Sequence, residues 1–221
     1  MTNILEKLAH RVEVGKIDKK SPFPPDLKGE EGADELTKQA LDEGTDAQTI
    51  LNDGLIEGMN RIGEKFSRGE AYIPNMLIAA KAMNAALVHL DPYFTAGNIK
   101  SKGTAILGTV QGDLHDIGKN LVGLILKGAG WDIVDLGTDV GSDEFIEAVN
   151  KHEAAVVGMS ALLTTTMINM DPILNAIKKN NPATQVYIGG APVSQNFADK
   201  IGADGYFADP FSFSKFLAQY L

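Results

Sequence analysis

Cysteine is absent from all 221 residues, which excludes disulfides, thiolate metal sites, iron–sulfur clusters and thiol nucleophiles. A basic cluster is missing too. Twenty Lys and Arg stand against 29 Asp and Glu, for a formal charge of −9, and such a chain is a poor candidate for gripping phosphate backbones. No apolar run reaches the roughly 18–20 residues that span a bilayer. The start, Met1 to Lys7, lacks the charged region and apolar core of a signal peptide. The expectation is a cytoplasmic protein with neither membrane nor nucleic acid among its partners. What is present is 44% hydrophobic and 22% charged, the balance of a chain that buries a core, at a length suited to one large domain or two small ones.

Apolar residues at Ile4, Leu5, Leu8 and Val12 follow helical spacing until Ser21-Pro22-Phe23-Pro24-Pro25 breaks it. Residues 17–32 are therefore expected to be loop, and 1–33 receive no functional assignment. Helical periodicity resumes over Asp34–Glu43, with Gly44 as its terminator. Thr45 or Asp46 can cap a further helix carrying Ile50, Leu51, Leu55, Ile56, Met59, Ile62 and Phe66 and ending near Gly69. Pro74 suits the first turn of the next, with Met76, Leu77, Ala80, Met83, Leu87 and Leu90 on its inner side. The first 93 residues thus read as a small helical bundle of four-helix type, with its domain over 34–93, followed by a linker over 94–103 that contains Gly97, Ile99, Ser101 and Gly103.

From residue 104 onward, β-rich runs alternate with amphipathic ones: Thr104–Thr109, Trp131–Leu136, Ala154–Ser160, Gln185–Gly189 and Gly205–Ala208. Strict alternation predicts an α/β domain over 104–221, with a five-stranded parallel sheet, right-handed crossovers and the flavodoxin-like strand order 2-1-3-4-5. In such a sheet ligands bind beyond the carboxyl ends of the strands at the switch point, here between the first and third. The unusual residues gather there. The first strand runs into Gln111-Gly112-Asp113-Leu114-His115-Asp116-Ile117-Gly118, the third into Ser160-Ala161-Leu162 and then Thr164-Thr165-Thr166, and the fourth into Gly189-Gly190. Each loop alone is an ordinary cap or turn. It is the joint pattern that carries information: Asp113-x-His115-x-x-Gly118, 41 residues, Ser160-x-Leu162, 26 residues, Gly189-Gly190.

That pattern resembles the signature of cobalamin-binding domains that hold the cofactor with its own base displaced and a protein histidine on cobalt. The helical half is similar to the cap of corrinoid methyltransferase proteins, through Gly58-Met59-Asn60-Arg61-Ile62-Gly63-Glu64-Lys65-Phe66, Tyr72-Ile73-Pro74-Asn75-Met76 and Ala79-Ala80-Lys81-Ala82-Met83. The likeness covers about residues 34–221 and includes the module found in methionine synthase and the corrinoid proteins of methanol, methylamine and O-demethylase systems. The resemblance implies that His115 is the axial cobalt ligand and that Asp113 accepts its other ring N–H. Gly112, Asp116, Ile117, Gly118, Ser160, Leu162, Thr164, Gly189 and Gly190 would line the cofactor and its tail. Glu64, Met76 and Ala80 would meet the upper corrin face. It implies a carrier with cobalamin or a related corrinoid as cofactor, passing through Co(I), Co(II) and methylcobalamin forms. Its partners would be a substrate-specific methyltransferase, a second methyltransferase using an acceptor such as tetrahydrofolate, and a reductive activator. Leucine in place of Gly189 or Gly190 is expected to block the tail slot while leaving the cofactor-free fold intact.

Other chemistries fit less well. A receiver switch needs an aspartate where the third strand ends in Ser160, and a flavin loop would not set Asp113 and Asp116 against a phosphate. His10, His89 and His152 are scattered, and His152-Glu153 lacks the second histidine of a metalloprotease helix. A mutase needs a substrate barrel that this length cannot hold. A cobalamin-dependent sensor acting through a partner protein is the remaining alternative.

Overall fold

The computed structural model describes residues 4–97, 101–152 and 156–219. They fall into two compact units, one of Met1–Ser101 with the turn Gly128–Gly130, the other of Lys102–Lys127 and Trp131–Leu221. Residues 98–100 of the expected linker, Ile99 among them, lie outside the described residues, as does Ala154, the expected start of the third strand.

The first unit is helical. Helix α1 (Ile4–Glu13) buries Leu5, Leu8, Ala9 and Val12, and α2 (Ala33–Asp42) starts where Gly32 N–H donates to the Glu35 carboxylate at 2.9 Å. Gly44, at φ 82°, turns the chain out of α2 in the left-handed region that glycine adopts without strain. Asp46 then accepts from Thr49 N–H at 3.0 Å and caps the short α3 (Ala47–Thr49). The chain continues through a π-helical stretch, Ile50–Ile56, into α4 (Glu57–Ser67). Helix α5 (Ile73–Thr95) follows, with Pro74 in its first turn.

Helix α1 packs against α2, the π-helical stretch, α4 and α5, so residues left unassigned from sequence supply part of this unit's core. Two glycines permit the approach. A Cβ on Gly58 would lie 2.5 Å from the Ala9 carbonyl oxygen, and one on Gly54 would lie 2.6 Å from Leu8 Cδ2. The Pro-rich segment is tied back as well: Arg11 donates to the Glu31 carbonyl at 3.0 Å and pairs with Glu30, while the fully buried Lys16 ammonium donates to the Ser21 carbonyl at 2.8 Å. The sequence expectation about apolar length needs one correction. By length and composition alone, α5 is apolar enough to cross a membrane, because tolerated interruptions such as Lys81 do not lower its average far. Its Ala79, Ala82, Met83, Ala86, Leu87 and Leu90 are instead buried in the protein.

The second unit is the doubly wound sheet that the alternation predicted. Strands β1 (Thr104–Thr109), β2 (Asp132–Asp135), β3 (Val156–Ser160), β4 (Gln185–Gly189) and β5 (Gly205–Phe207) are parallel in the order β2-β1-β3-β4-β5. Helices α6 (Ile117–Gly128), α7 (Ser142–Lys151), α8 (Thr164–Met167), α9 (Met170–Asn180), α10 (Gln195–Ile201) and α11 (Pro210–Leu217) alternate with them. Ile106, Val157, Val186 and Ile188 form a continuous core with Phe145, Leu174 and Ile177. The register pairs Thr109 with Ser160 and Ser160 with Gly189. Three strands therefore end level with one another, and their loops leave from one edge.

In an ordinary helix, alanine for glycine gains about 1 kcal/mol. Gly58→Ala should reverse that sign and destabilise by about 1–3 kcal/mol, because the rigid Ala9 carbonyl cannot yield. Gly54→Ala should cost less, since the Leu8 terminus can rotate away. Urea unfolding of both variants checks this, and a more stable Gly58→Ala protein would show that the α1 contact is loose.

Candidate cofactor site

The site begins where β1 ends. Val110 N–H donates to the Ser160 carbonyl at 3.0 Å, so β1 and β3 stay paired up to the point where their loops part. Gly112, at φ 83°, turns the chain back, and the buried Thr109 hydroxyl donates to the His115 carbonyl at 3.0 Å, closing the loop onto the strand that launched it.

Asp113 is completely buried, and each of its oxygens is fully used. Oδ1 accepts from the His115 backbone N–H at 3.0 Å and from His115 Nδ1 at 2.7 Å. Oδ2 accepts from Leu162 N–H at 2.8 Å, Leu163 N–H at 3.3 Å and the Thr166 hydroxyl at 2.6 Å. Burial pushes this carboxyl up, but the Thr166 hydroxyl, the Leu162 and His115 amides and the His115 ring outweigh it and hold the group well below the usual carboxylate range. Asp113 is thus a fixed anion that can only accept.

This defines the tautomer of His115. An ionised carboxylate requires a proton on Nδ1, so in the neutral ring the lone pair is on Nε2. The imidazole is half exposed, and around it Leu114, Ile117, Leu162 and Leu163 turn apolar side chains to solvent, Leu114 at 73% and Ile117 at 65% exposure. Among the described residues no group of three or more His, Asp or Glu could hold a metal ion. A metal on Nε2 would take its other ligands from a bound group, and a corrin ring, which the resemblance implies, is one that brings them. The exposed apolar border suits such a ring, and the carboxylate behind the imidazole raises its basicity as a ligand.

The other residues singled out from sequence divide into several groups. Gly118 is in the first turn of α6 and exposed, and a Cβ there would meet nothing within 4 Å, so the protein's own packing gives no reason for a glycine. Ser160 is half-buried at the end of β3, and Thr164 is exposed at the start of α8. Asp116 is exposed and accepts from the Asn120 side chain at 2.9 Å. The expectation for Gly189 and Gly190 is corrected. Gly190 sits at φ 125°, and a Cβ on it would come within 1.9 Å of the Ala161 carbonyl oxygen, while one on Gly189 would lie 3.0 Å from the Phe207 carbonyl oxygen. The fold itself excludes a side chain at Gly190 and leaves little room for one at Gly189, so leucine at Gly190 damages the cofactor-free structure and leucine at Gly189 presses on the backbone of β5. Glu64, Met76 and Ala80 belong to the first unit, where Met76 and Ala80 are buried and Glu64 is exposed beside Arg68 at 3.8 Å.

Sequence reasoning passed over three residues that hold the loop, Thr109, Asn169 and Asp139, and placed Thr166 at the site only as part of the run Thr164-Thr165-Thr166, without its bond to Asp113. Asn169 donates to the Gln111 carbonyl at 2.7 Å, and Asp139 accepts from Gly112 N–H at 2.7 Å. The buried Lys119 pairs with Asp135 at 2.5 Å and locks the start of α6 to the end of β2.

Residues 103–212 match a family model described as a B12 binding domain, and residues 29–91 match a second model with the same description. The chain is 42% identical over 181 residues to the trimethylamine corrinoid protein of Methanosarcina barkeri, across 80% of this chain and 83% of that one. It is 39% identical over 177 residues to a corrinoid protein of Desulfitobacterium hafniense strain Y51, across 78% and 82%. Two solved structures resemble it closely. The methanol:cobalamin methyltransferase complex of Methanosarcina barkeri gives a TM-score of 0.78 at 26% identity, covering 98% of this chain and 79% of that one. A cobalamin-binding protein of Desulfitobacterium hafniense DCB-2 gives 0.76 at 25% identity, covering 100% of both. Related over most of its length to these proteins and matched in both of its units by B12 binding domain models, the chain belongs to the B12-binding corrinoid protein family.

Proposed function

We propose that this protein is a methyl carrier that takes a methyl group from a substrate-specific methyltransferase and gives it to a second methyltransferase, whose acceptor is tetrahydrofolate or a similar compound. A reductive activator restores the carrier after stray oxidation. The corrinoid, when bound, supplies a cobalt that accepts and releases the methyl group. One observation carries the reading: a half-exposed imidazole whose Nδ1 is held at 2.7 Å by a buried, ionised Asp113. Relatives named for trimethylamine and a structural neighbour named for methanol support a small methylated donor, with the choice of donor left to the partner enzyme.

In this reading His115 Nε2 holds the cobalt. Asp113 keeps the Nδ1 proton and orients the ring, so that ligand strength depends on the second residue as much as on the first. Leu114, Ile117, Leu162 and Leu163 give the ring an apolar seat and exclude water from the ligating nitrogen. Gly118 leaves room for the cofactor's tail, and Ser160 brings a hydroxyl to the same edge.

Protein loaded with cobalamin and reduced should gain a methyl group when mixed with a cognate methyltransferase and its methylated substrate. His115→Gly should lose the protein nitrogen on cobalt, seen as a changed visible spectrum, while retaining some cofactor. An unchanged spectrum would refute the ligand assignment.

Asp113→Asn offers one acceptor oxygen where two are required, so either the His115 contacts or the Leu162, Leu163 and Thr166 contacts must fail. Cofactor affinity or transfer rate should fall by about 10–100-fold. Folding depresses the Asp113 carboxyl, so its contribution to stability is complete above about pH 4 and declines as pH falls further. Wild type and Asp113→Asn should therefore converge in stability on acidification. A gap that stays constant from about pH 6 to about pH 3 would contradict the buried-anion account.

Gly118→Leu should weaken cobalamin uptake by at least about tenfold with little change in the unfolding midpoint of the cofactor-free protein, because the space it fills is open. Normal uptake would mean that the tail runs elsewhere.

A further inference from the structure

Asp139 lies in the loop between β2 and α7 and is the one non-glycine among the described residues with a positive φ, 58°. Two bonds account for that conformation. Asp139 Oδ1 accepts from Gly112 N–H at 2.7 Å, and Asp139 N–H donates to the Asp113 carbonyl at 3.0 Å. One residue therefore grips the backbone on both sides of the Gly112–Asp113 peptide, and it does so from the neighbouring strand's loop. The grip falls where the chain is least constrained by itself, since Gly112 is at φ 83° and a glycine has many other conformations within reach. No part of the Asp113 carboxylate is used in it. Oδ2 of that carboxylate is anchored on the β3 loop through Leu162, Leu163 and Thr166. The backbone of Asp113 is anchored on the β2 side by Asp139. With both ends held, the direction in which Oδ1 meets His115 Nδ1, and hence the direction of Nε2, is determined.

We propose that Asp139 is a positioning residue for the cobalt ligand, acting through the Gly112–Asp113 backbone on the aim of His115 Nε2. The proposal rests on the reading of His115 as that ligand. Asparagine and glycine separate the two things Asp139 provides. The asparagine side chain keeps an acceptor for Gly112 N–H and tolerates the left-handed backbone, whereas glycine tolerates the backbone but has no acceptor.

The test compares wild type, Asp139→Asn and Asp139→Gly. In the cofactor-free proteins, exchange of the Gly112 amide hydrogen should accelerate by about tenfold or more in Asp139→Gly and remain near wild type in Asp139→Asn. After reconstitution with cob(II)alamin, the nitrogen splitting in the electron paramagnetic resonance spectrum should be complete in wild type and Asp139→Asn. In Asp139→Gly it should be a mixture of ligated and unligated cobalt, with cofactor release faster by about 10–100-fold. Wild-type exchange and full ligation in Asp139→Gly would overturn the proposal, as would an Asp139→Asn protein that behaves like Asp139→Gly. A wild-type protein with no histidine nitrogen on cobalt would overturn the ligand reading and this proposal with it, whereas full ligation in wild type with an unaffected Asp139→Gly removes only the proposal.

Discussion

A buried carboxylate is tolerated only when its lone pairs find donors, because an unpaired buried charge costs several kcal/mol. Asp113 meets that demand with five donors drawn from two loops, two from its own and three from the loop after β3. The same bonds that make the charge tolerable define the site. They close the β1 loop, dock the β3 loop against it and commit one nitrogen of His115. The stability of the loops and the orientation of the half-exposed imidazole therefore rest on one group.

The sheet makes this possible with few additional contacts. Parallel pairing aligns Thr109, Ser160 and Gly189 across three strands, so loops distant in sequence emerge side by side at the switch point. Gly190 illustrates how fold and ligand compete to explain one residue. Its left-handed backbone and its closeness to the Ala161 carbonyl require glycine for reasons internal to the protein. Gly118 is the opposite case, a glycine in front of open space that nothing in the protein's own packing requires. The Lys119–Asp135 pair and Asp139 extend the same arrangement to the β2 edge, the first tying α6 to β2 through side chains and the second holding the Gly112–Asp113 backbone.

The strand order and the helix positions were legible in the sequence because both depend on local periodicity. Period-two and period-3.6 patterns, with Gly44, Asp46 and Pro74 as punctuation, carry that information along the chain. Asp113 and His115 were legible as candidates through their spacing from Ser160 and Gly189. Their supports were not. Thr109, Asp139 and Asn169 matter only because loops from different strands touch, and nothing in their own neighbourhoods marks them, while Thr166 stood out only as one of a run of three threonines. The same holds for α1, whose amphipathic pattern was plain but whose place against Gly54 and Gly58 follows from tertiary packing. The π-helical stretch was missed because an apolar stripe at mixed i+4 and i+5 spacing reads as an ordinary helix.

The central claim is that His115 supplies the nitrogen on cobalt. The most direct measurement is electron paramagnetic resonance of the cob(II)alamin-loaded protein prepared twice, once with natural histidine and once with histidine labelled with nitrogen-15. The account predicts that the nitrogen splitting changes from triplets to doublets on labelling, because the spin of the coordinating nucleus has changed. Triplets that persist in the labelled protein would show that the cofactor's own base remains on the metal, and would contradict it.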